Sequence, residues 1–515
     1  MLVADLRLDA RPVPGEVRAY TVDVGAIAWR DCARRVREGG GRLVALWGAD
    51  RRDLGEGFEV RASYELSDAL LCVRHAMPAE SPRYPGVEAW FPAAARMQRT
   101  VRDLVGIAVL DAQDSRPWLR HGAWPEDQHP LRRDVLPQSS FEPHADRYPF
   151  VTVAGDGVHE IPVGPVHAGT IEPGHFRFSV LGERVLRLEE RLGYKHKGIE
   201  KRFESLTLAE GARLCGRVSG DSTVAYSWAY CMALEAAANC AVPARAAWLR
   251  ALALELERIA NHLGDLGFIG NDAGVAFGLA QFSRLKEDLL RANVAWAGHR
   301  YLMDYVVPGG VARDLPPAGS DLLVRQLDHL EPELVRLREI YGEHAGLQDR
   351  LQGTGRVSPK TADEMGLVGL AGRASGQPHD LRVRHATAPY DTLRVNLVLR
   401  QEGDVAARTA VRFDEALESL RLARTLLERL PEGPMAAECG AAAAGSTGVG
   451  WIEGWRGEVF VFLECGEDGK VRACHPHDPS WQNWPLLELA VLGNIVPDFP
   501  LINKSFNLSY AGVDL

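Results

Sequence analysis

The stretch RAAWLRALALELERIANHLGDLG, residues 245–267, decides the fold: its apolar side chains recur at spacings of three and four, which puts them on one buried helical face. The same period runs through 233–240 (ALEAAANC), 284–303 (RLKEDLLRANVAWAGHRYLM), 321–346 (DLLVRQLDHLEPELVRLREIYGEHAG) and 411–430 (VRFDEALESLRLARTLLERL). The last of these is stopped by Pro-Glu-Gly-Pro at 431–434. So many amphipathic helices predict a bundle, with Trp228, Trp248 and Trp296 as core.

Outward from the bundle the period changes. Residues 159–169 and 175–193 read as a strand pair, and 456–475 reads as a hairpin whose Glu-Asp-Gly tip favours positive φ. The Gly/Ala run at 440–450 lacks the Gly-Lys-Ser/Thr ending of a phosphate loop and reads as a flexible loop. Toward the N-terminus, 42–49, 58–66 and 69–77 read as strands, and 29–40 as an amphipathic helix closed by two glycines. From Ala112 to Arg147, Pro, Trp, His and charge alternate without a period, which predicts an extended linker. The expected fold class is α+β. A small N-terminal α/β domain over 1–111 and a linker over 112–150 precede a mainly α-helical domain over 151–515, whose small antiparallel β part comes from both of its ends.

A chain of 515 residues with 46% hydrophobic content has enough apolar side chains for two or three cores. Its net charge of -10 is interleaved along the sequence, which argues against nucleic acid as a partner. Met1–Glu16 has no apolar run with a cleavage site, and no stretch approaches the roughly 18–20 apolar residues of a membrane span, so membrane contact is expected only through partners. Eight cysteines (Cys32, Cys72, Cys215, Cys231, Cys240, Cys439, Cys465, Cys474) form no Cys-x-x-Cys pair. They read as reduced thiols, without an iron-sulfur cluster or structural zinc in this chain. No Gly-x-Gly-x-x-Gly unit offers a dinucleotide site.

Two regions carry a family resemblance. Residues 94–121 (AARMQRTVRDLVGIAVLDAQDSRPWLRH) resemble the signature of the complex I 30 kDa-type subunit. Gly164-Pro165-Val166-His167, Glu172-Pro173-Gly174-His175-Phe176, Gly182-Glu183 and the run Gly193 to Lys201 (GYKHKGIEK) resemble the large subunit of formate hydrogenlyase-type nickel-iron hydrogenases and the 49 kDa-type subunit of complex I. The match continues in order through 256–267, 307–316 (VPGGVARDLP), 372–383 (GRASGQPHDLRV), 400–420 and the ending Gly-Val-Asp-Leu. A 30 kDa-like region followed by a 49 kDa-like one in a single chain resembles the fused large subunit of formate hydrogenlyase and the membrane-bound group 4 hydrogenases.

The resemblance implies four nickel-binding thiolates in two Cys-x-x-Cys pairs. Carried over by position, these fall on Cys215 and Val218, and on Ser480 and Asn483. Only one sulfur remains. No nickel-iron centre and no hydrogenase activity are therefore expected, and no cofactor is expected to be held by this chain itself. The run past Asn483 to Leu515 is similar to the complex I ending, without the tail cut from nickel-loaded relatives. The polar quinone anchors of complex I fall on Ile171 and Gly220, leaving Glu172, His175, Cys215 and Ser480 as lining for a quinone or acceptor cavity.

Glu200 stands where hydrogenases keep a proton-moving carboxylate, and the other reading is an ion pair with Arg217 or Arg213. His167 is either a proton carrier or a satisfied loop hydrogen bond. Cys215 is either a buried small hydrophobe or a reactive thiol. Arg217 and Asp478 are expected to pair across the emptied cavity. The implied partners are a small iron-sulfur subunit, a ferredoxin-like subunit and antiporter-like membrane subunits, at the cytoplasmic face of the inner membrane. Two functions follow: an electron-transfer subunit of a respiratory oxidoreductase, with quinone as an acceptor and coupling to ion movement, or a scaffold that kept only its docking surfaces.

Overall fold

Alternating apolar strands build the first domain of the computed structural model, which describes residues 1–167 and 171–515. Arg11–Val13, Ala19–Asp23, Arg42–Asp50, Phe58–Glu65 and Leu70–Met77 form one five-stranded sheet, in the spatial order first, second, fifth, fourth, third. Ala19–Asp23 runs parallel to Leu70–Met77, and the other neighbours are antiparallel. Helices Ala26–Glu38 and Ala94–Val105 pack on this sheet. Gly48 admits the second of them closely, since a Cβ there would lie 2.8 Å from the Val101 side chain.

Residues 110–157 contain neither helix nor strand, yet they are fastened along their length. The Asp103 carboxylate accepts from the Trp118 and Leu119 N–H groups, at 2.6 and 2.8 Å. Arg99 donates to the carbonyls of Arg116 and Pro117 and to the Tyr148 hydroxyl. Trp118, Leu119 and Trp124 are buried.

The second domain is a bundle of Thr223–Ala237, Ala244–Asp272, Ala276–Ala297, Pro317–Glu343 and Val405–Glu428, with shorter helices around it. Thr223–Ala237 is apolar on every side and buried almost throughout, as a helix at the centre of a domain must be. Ala244–Asp272 and Val405–Glu428 also bury charge between them: Arg412 pairs with Asp265 at 2.9 Å, and His262 with Glu415 at 2.9 Å.

Two expectations do not hold. The second half of the Gly/Ala run is not a loop but the strand Thr447–Glu453. A Cβ at Gly448 or Gly450 would come within 1.9 or 1.8 Å of the carbonyl oxygens of Ala233 and Ala229. The missing side chains let this strand lie directly on the backbone of helix Thr223–Ala237. The strand pair expected at 159–193 is in fact a three-stranded antiparallel sheet, Val158–Val163, His175–Leu181 and Arg184–Arg191, because the second run folds back at Gly182. The hairpin Glu458–Cys465 with Val471–His477 forms as expected, with Asp468 and Gly469 both at positive φ.

The last hairpin also holds the two domains together. The Trp47 ring stacks on His475 at 4.8 Å, and Arg61 lies over Phe462. Arg42 makes a two-pronged pair with Glu458, at 2.6 and 2.8 Å, while its Nε donates to Glu65. All three side chains are buried, so removing the guanidinium leaves Glu458 without its cation away from water, while Glu65 keeps Arg384 at 3.1 Å and His385 at 3.2 Å. Arg42→Ala is expected to cost about 3–5 kcal/mol. Urea unfolding checks this, and a loss below about 1 kcal/mol would show that the junction does not depend on the pair.

Candidate functional site

The segments that carry the family resemblance converge on one place. The loop 193–201 is tied to the chain's last residues: Gly193 and Lys195 N–H groups donate to Asp514, each at 2.8 Å, and Lys197 and Ile199 N–H groups donate to the Leu515 carbonyl. Burial raises the Asp514 carboxyl to about 7. On the other side of this loop, helix Ile199–Phe203 packs against strand Val471–His477.

Beneath the loop, the four positions aligned with nickel ligands are all buried. Cys215 ends helix Leu208–Cys215 and donates its thiol to the Tyr226 carbonyl at 3.4 Å. Burial alone drives that thiol well above its ordinary range, so it stays protonated. Val218 offers no donor atom. The Ser480 Oγ accepts from the Ser509 N–H at 2.9 Å. Asn483 exchanges two hydrogen bonds with the backbone of Val368, at 3.1 and 3.2 Å.

Asp478 knits these groups together. One of its oxygens accepts from the Tyr226 hydroxyl at 2.7 Å, and the other from the Ser480 N–H at 2.8 Å. From Ser480 the network runs through Ser509 and Ser219 to Asp221. There Arg456 donates to Asp221 at 2.6 Å and to Ser222 at 3.2 Å, and its Nε reaches the Asn507 carbonyl at 2.6 Å.

The expected pairing of Arg217 with Asp478 does not form. Arg217 reaches outward to Asp304, at 2.6 and 2.7 Å, because it extends from the exposed end of its turn while Asp478 is already satisfied. Glu200 pairs with neither Arg217 nor Arg213: it accepts from His475 Nδ1 at 2.7 Å, across the contact between its helix and the strand. His167 Nε2 bonds the Gly174 carbonyl at 2.8 Å. Glu172 accepts from the Ala511 N–H at 3.0 Å. His175 Nδ1 meets the Gly164 carbonyl at 3.2 Å, its Nε2 is buried without a partner among the described residues, and burial lowers its basicity. Tyr226, Ser219, Asp221, Arg456 and Ser509 are brought in by folding from places that carry no motif. His475 and His477 stand in a legible run, His-Pro-His-Asp-Pro-Ser at 475–480, but its spacing alone gives neither histidine a role.

This architecture, a small mixed sheet joined to a helical domain whose site is closed by the chain's last residues, defines a class of fused large subunit. The family described as "Respiratory-chain NADH dehydrogenase, 30 Kd subunit" matches residues 22–140, and its 49 Kd counterpart matches 272–446. Formate hydrogenlyase subunit 5 of Escherichia coli (strain K12) is 32% identical over 485 residues, covering 92% of this chain and 85% of its own length. Carbon monoxide-induced hydrogenase of Rhodospirillum rubrum is 31% identical over 68% of this chain and 97% of its own. The C/D protein of the NADH-quinone oxidoreductase of Phocaeicola vulgatus is 30% identical, covering 76% and 78%. A solved chain of the membrane-bound sulfane sulfur reductase, described as an archaeal respiratory membrane complex, shares the fold with a TM-score of 0.66. It is 24% identical, covering 71% of this chain and all of its own. The chain belongs to the fused 30 kDa/49 kDa, complex I-like and group 4 hydrogenase-like large-subunit family. Among the described residues, no helix is long and apolar enough to cross a membrane.

Glu257 lies under the site, accepting from the Val224 and Ala225 N–H groups at 2.7 and 3.3 Å, and burial raises it to about 8. Between about pH 4.5 and 8 the folded chain keeps a proton that the unfolded chain has released. Stability from this group is therefore complete below that window and lost as pH rises through it. Glu257→Gln keeps the acceptor and removes the titration. Its stability relative to wild type is expected to rise with pH between 5 and 8, by up to about 1.4 kcal/mol per unit, in urea unfolding. A difference that stays flat would contradict the assignment.

Proposed function

We propose that this chain is an electron-transfer subunit of a respiratory membrane oxidoreductase, and that it works without a nickel-iron centre of its own. The observation that carries this reading is the donor set at the four aligned positions. Nickel in such a site calls for soft, charged thiolates, and the set here is one protonated thiol, one isopropyl group, one hydroxyl and one amide. The hydroxyl and the amide are also already engaged with backbone groups, so they would have to break hydrogen bonds to meet an ion.

The relatives' names, which include subunits of a formate hydrogenlyase and of NADH-quinone oxidoreductases, support assembly with further subunits. On this reading a small iron-sulfur subunit and a ferredoxin-like subunit bring electrons to the site, and antiporter-like membrane subunits carry the ion. The assembly sits at the cytoplasmic face of the inner membrane, with this chain peripheral. Quinone is the acceptor this reading favours, beside Glu172 and His175. His175 Nδ1–H is given to the Gly164 carbonyl, so Nε2, buried and without a partner among the described residues, is an acceptor that suits the hydroxyl of a reduced quinone. Glu200 with His475 supplies the proton-handling group.

Metal analysis of the purified complex tests the first part. Nickel is expected below about 0.1 per chain, whereas stoichiometric nickel, or hydrogen uptake abolished by Cys215→Ala, would overturn it. For the second part, His175→Phe is expected to lower quinone-dependent electron flow about ten-fold, the order of a lost charge-neutral hydrogen bond in a closed site. An unchanged rate removes quinone from the neighbourhood of His175.

A further inference from the structure

A cavity of about 20 Å³ lies at the domain junction, lined by Trp47, Val101 and Leu104 from the first domain and by Glu200, His475, His477 and Trp481 from the second. That is room for one water molecule. Three of the lining residues carry a polar atom without a partner among the described residues: His475 Nε2, His477 Nδ1 and Trp481 Nε1. Their residues are 7, 1 and 3% exposed, so bulk solvent does not serve these atoms. The neighbouring bonds and the indole chemistry fix the roles of His475 and Trp481. His475 Nδ1–H donates to Glu200 at 2.7 Å, leaving Nε2 as an acceptor. Gln482 Nε2 donates to the Val44 carbonyl at 2.6 Å, and His477 Nε2 faces both Gln482 Nε2 at 3.2 Å and Gln482 Oε1 at 3.3 Å, so Nδ1 of His477 is a donor in one tautomer and an acceptor in the other. Trp481 Nε1 is a donor only. With His477 as its Nδ1–H tautomer, two donors and one acceptor around a space of this size match the roughly three hydrogen bonds a buried water makes.

We propose that this cavity is a water-binding site: one water accepts from His477 and Trp481, donates to His475, and so extends Glu200 into a proton relay beneath the N-terminal domain. The geometry holds the relay in place from both sides, because Trp47 stacks on His475 at 4.8 Å and Trp481 lies parallel to His477 at 6.1 Å. A proton arriving on His477 leaves from Nδ1 to the water, the water passes one to His475 Nε2, and His475 passes its Nδ1 proton to the Glu200 carboxylate. Both imidazoles end neutral and Glu200 ends protonated, so charge balances. The water stands on the cavity and its three orphaned atoms alone, while the relay rests on the reading of Glu200 given above.

The structure of the assembled complex, at a resolution that shows buried waters, tests the site. One peak is expected within about 2.7–3.2 Å of all three atoms. Ordered water elsewhere in the core with none here overturns the proposal, and so does a peak that persists unmoved in His475→Phe. The relay is tested by turnover of the complex with reduced methyl viologen as donor and a water-soluble quinone as acceptor. Glu200→Gln and His475→Phe are each expected to slow it at least ten-fold and to raise its solvent deuterium isotope effect. Slow Glu200→Gln beside an unaffected His475→Phe sinks the relay and spares the Glu200 reading, whereas two unaffected variants sink both.

Discussion

Asp478 is the carboxylate on which the centre of this protein turns. It is fully buried, and both oxygens are committed, one to the Tyr226 hydroxyl and the other to the Ser480 N–H. That single group joins a helix of the bundle to the end of the last hairpin and to the start of helix Ser480–Ala490. It also dictates what approaches it. A Cβ at Gly512 would lie 2.5 Å from an Asp478 oxygen, so only glycine lets the closing segment 509–515 settle over the carboxylate. A carboxylate without those partners, in so apolar a setting, would be too costly to keep charged.

The same rule explains how the side chains at the four aligned positions find their partners. Hydroxyl and amide side chains can satisfy one another and the backbone, which thiolates cannot do without a cation. Ser480 takes the Ser509 N–H, and Ser509 in turn accepts the Gly512 N–H. Asn483 reads the Val368 backbone in both directions. The lone thiol is left with a carbonyl, which is what a protonated sulfur accommodates best. Asp221 keeps its charge beside the Arg456 guanidinium.

The bundle follows a similar logic at larger scale. Arg373 joins Glu415 and Glu453, Glu415 meets His262, and Arg382 joins Asp380 and Glu255, all out of contact with solvent. Buried ion pairs contribute little net stability but are expensive to break, so a network of this kind fixes which helix faces which. At the domain junction Arg42 plays that role between Glu65 and Glu458, while Trp47 closes the apolar side of the water-sized cavity.

Local pattern was enough for much of this. The three-and-four spacing of 245–267 and 411–430 determined two core helices, the alternation at 42–49, 58–66 and 69–77 determined three strands, and Asp468-Gly469 determined a hairpin tip, because each is set by near-neighbour sterics and by one buried face. Ordered motifs from Gly164 to Leu515 determined the family, and position alone told which side chains stand at Cys215, Val218, Ser480 and Asn483. Only the tertiary structure decided the partners. Glu200 meets His475, 275 residues away, instead of the nearby Arg217, and Arg217 turns to Asp304. Gly448 and Gly450 form a strand because a helix backbone two hundred residues earlier lies against them. A side chain's hydrogen-bond partner depends on which surfaces the folded chain has removed from water, and no run of neighbouring residues contains that information.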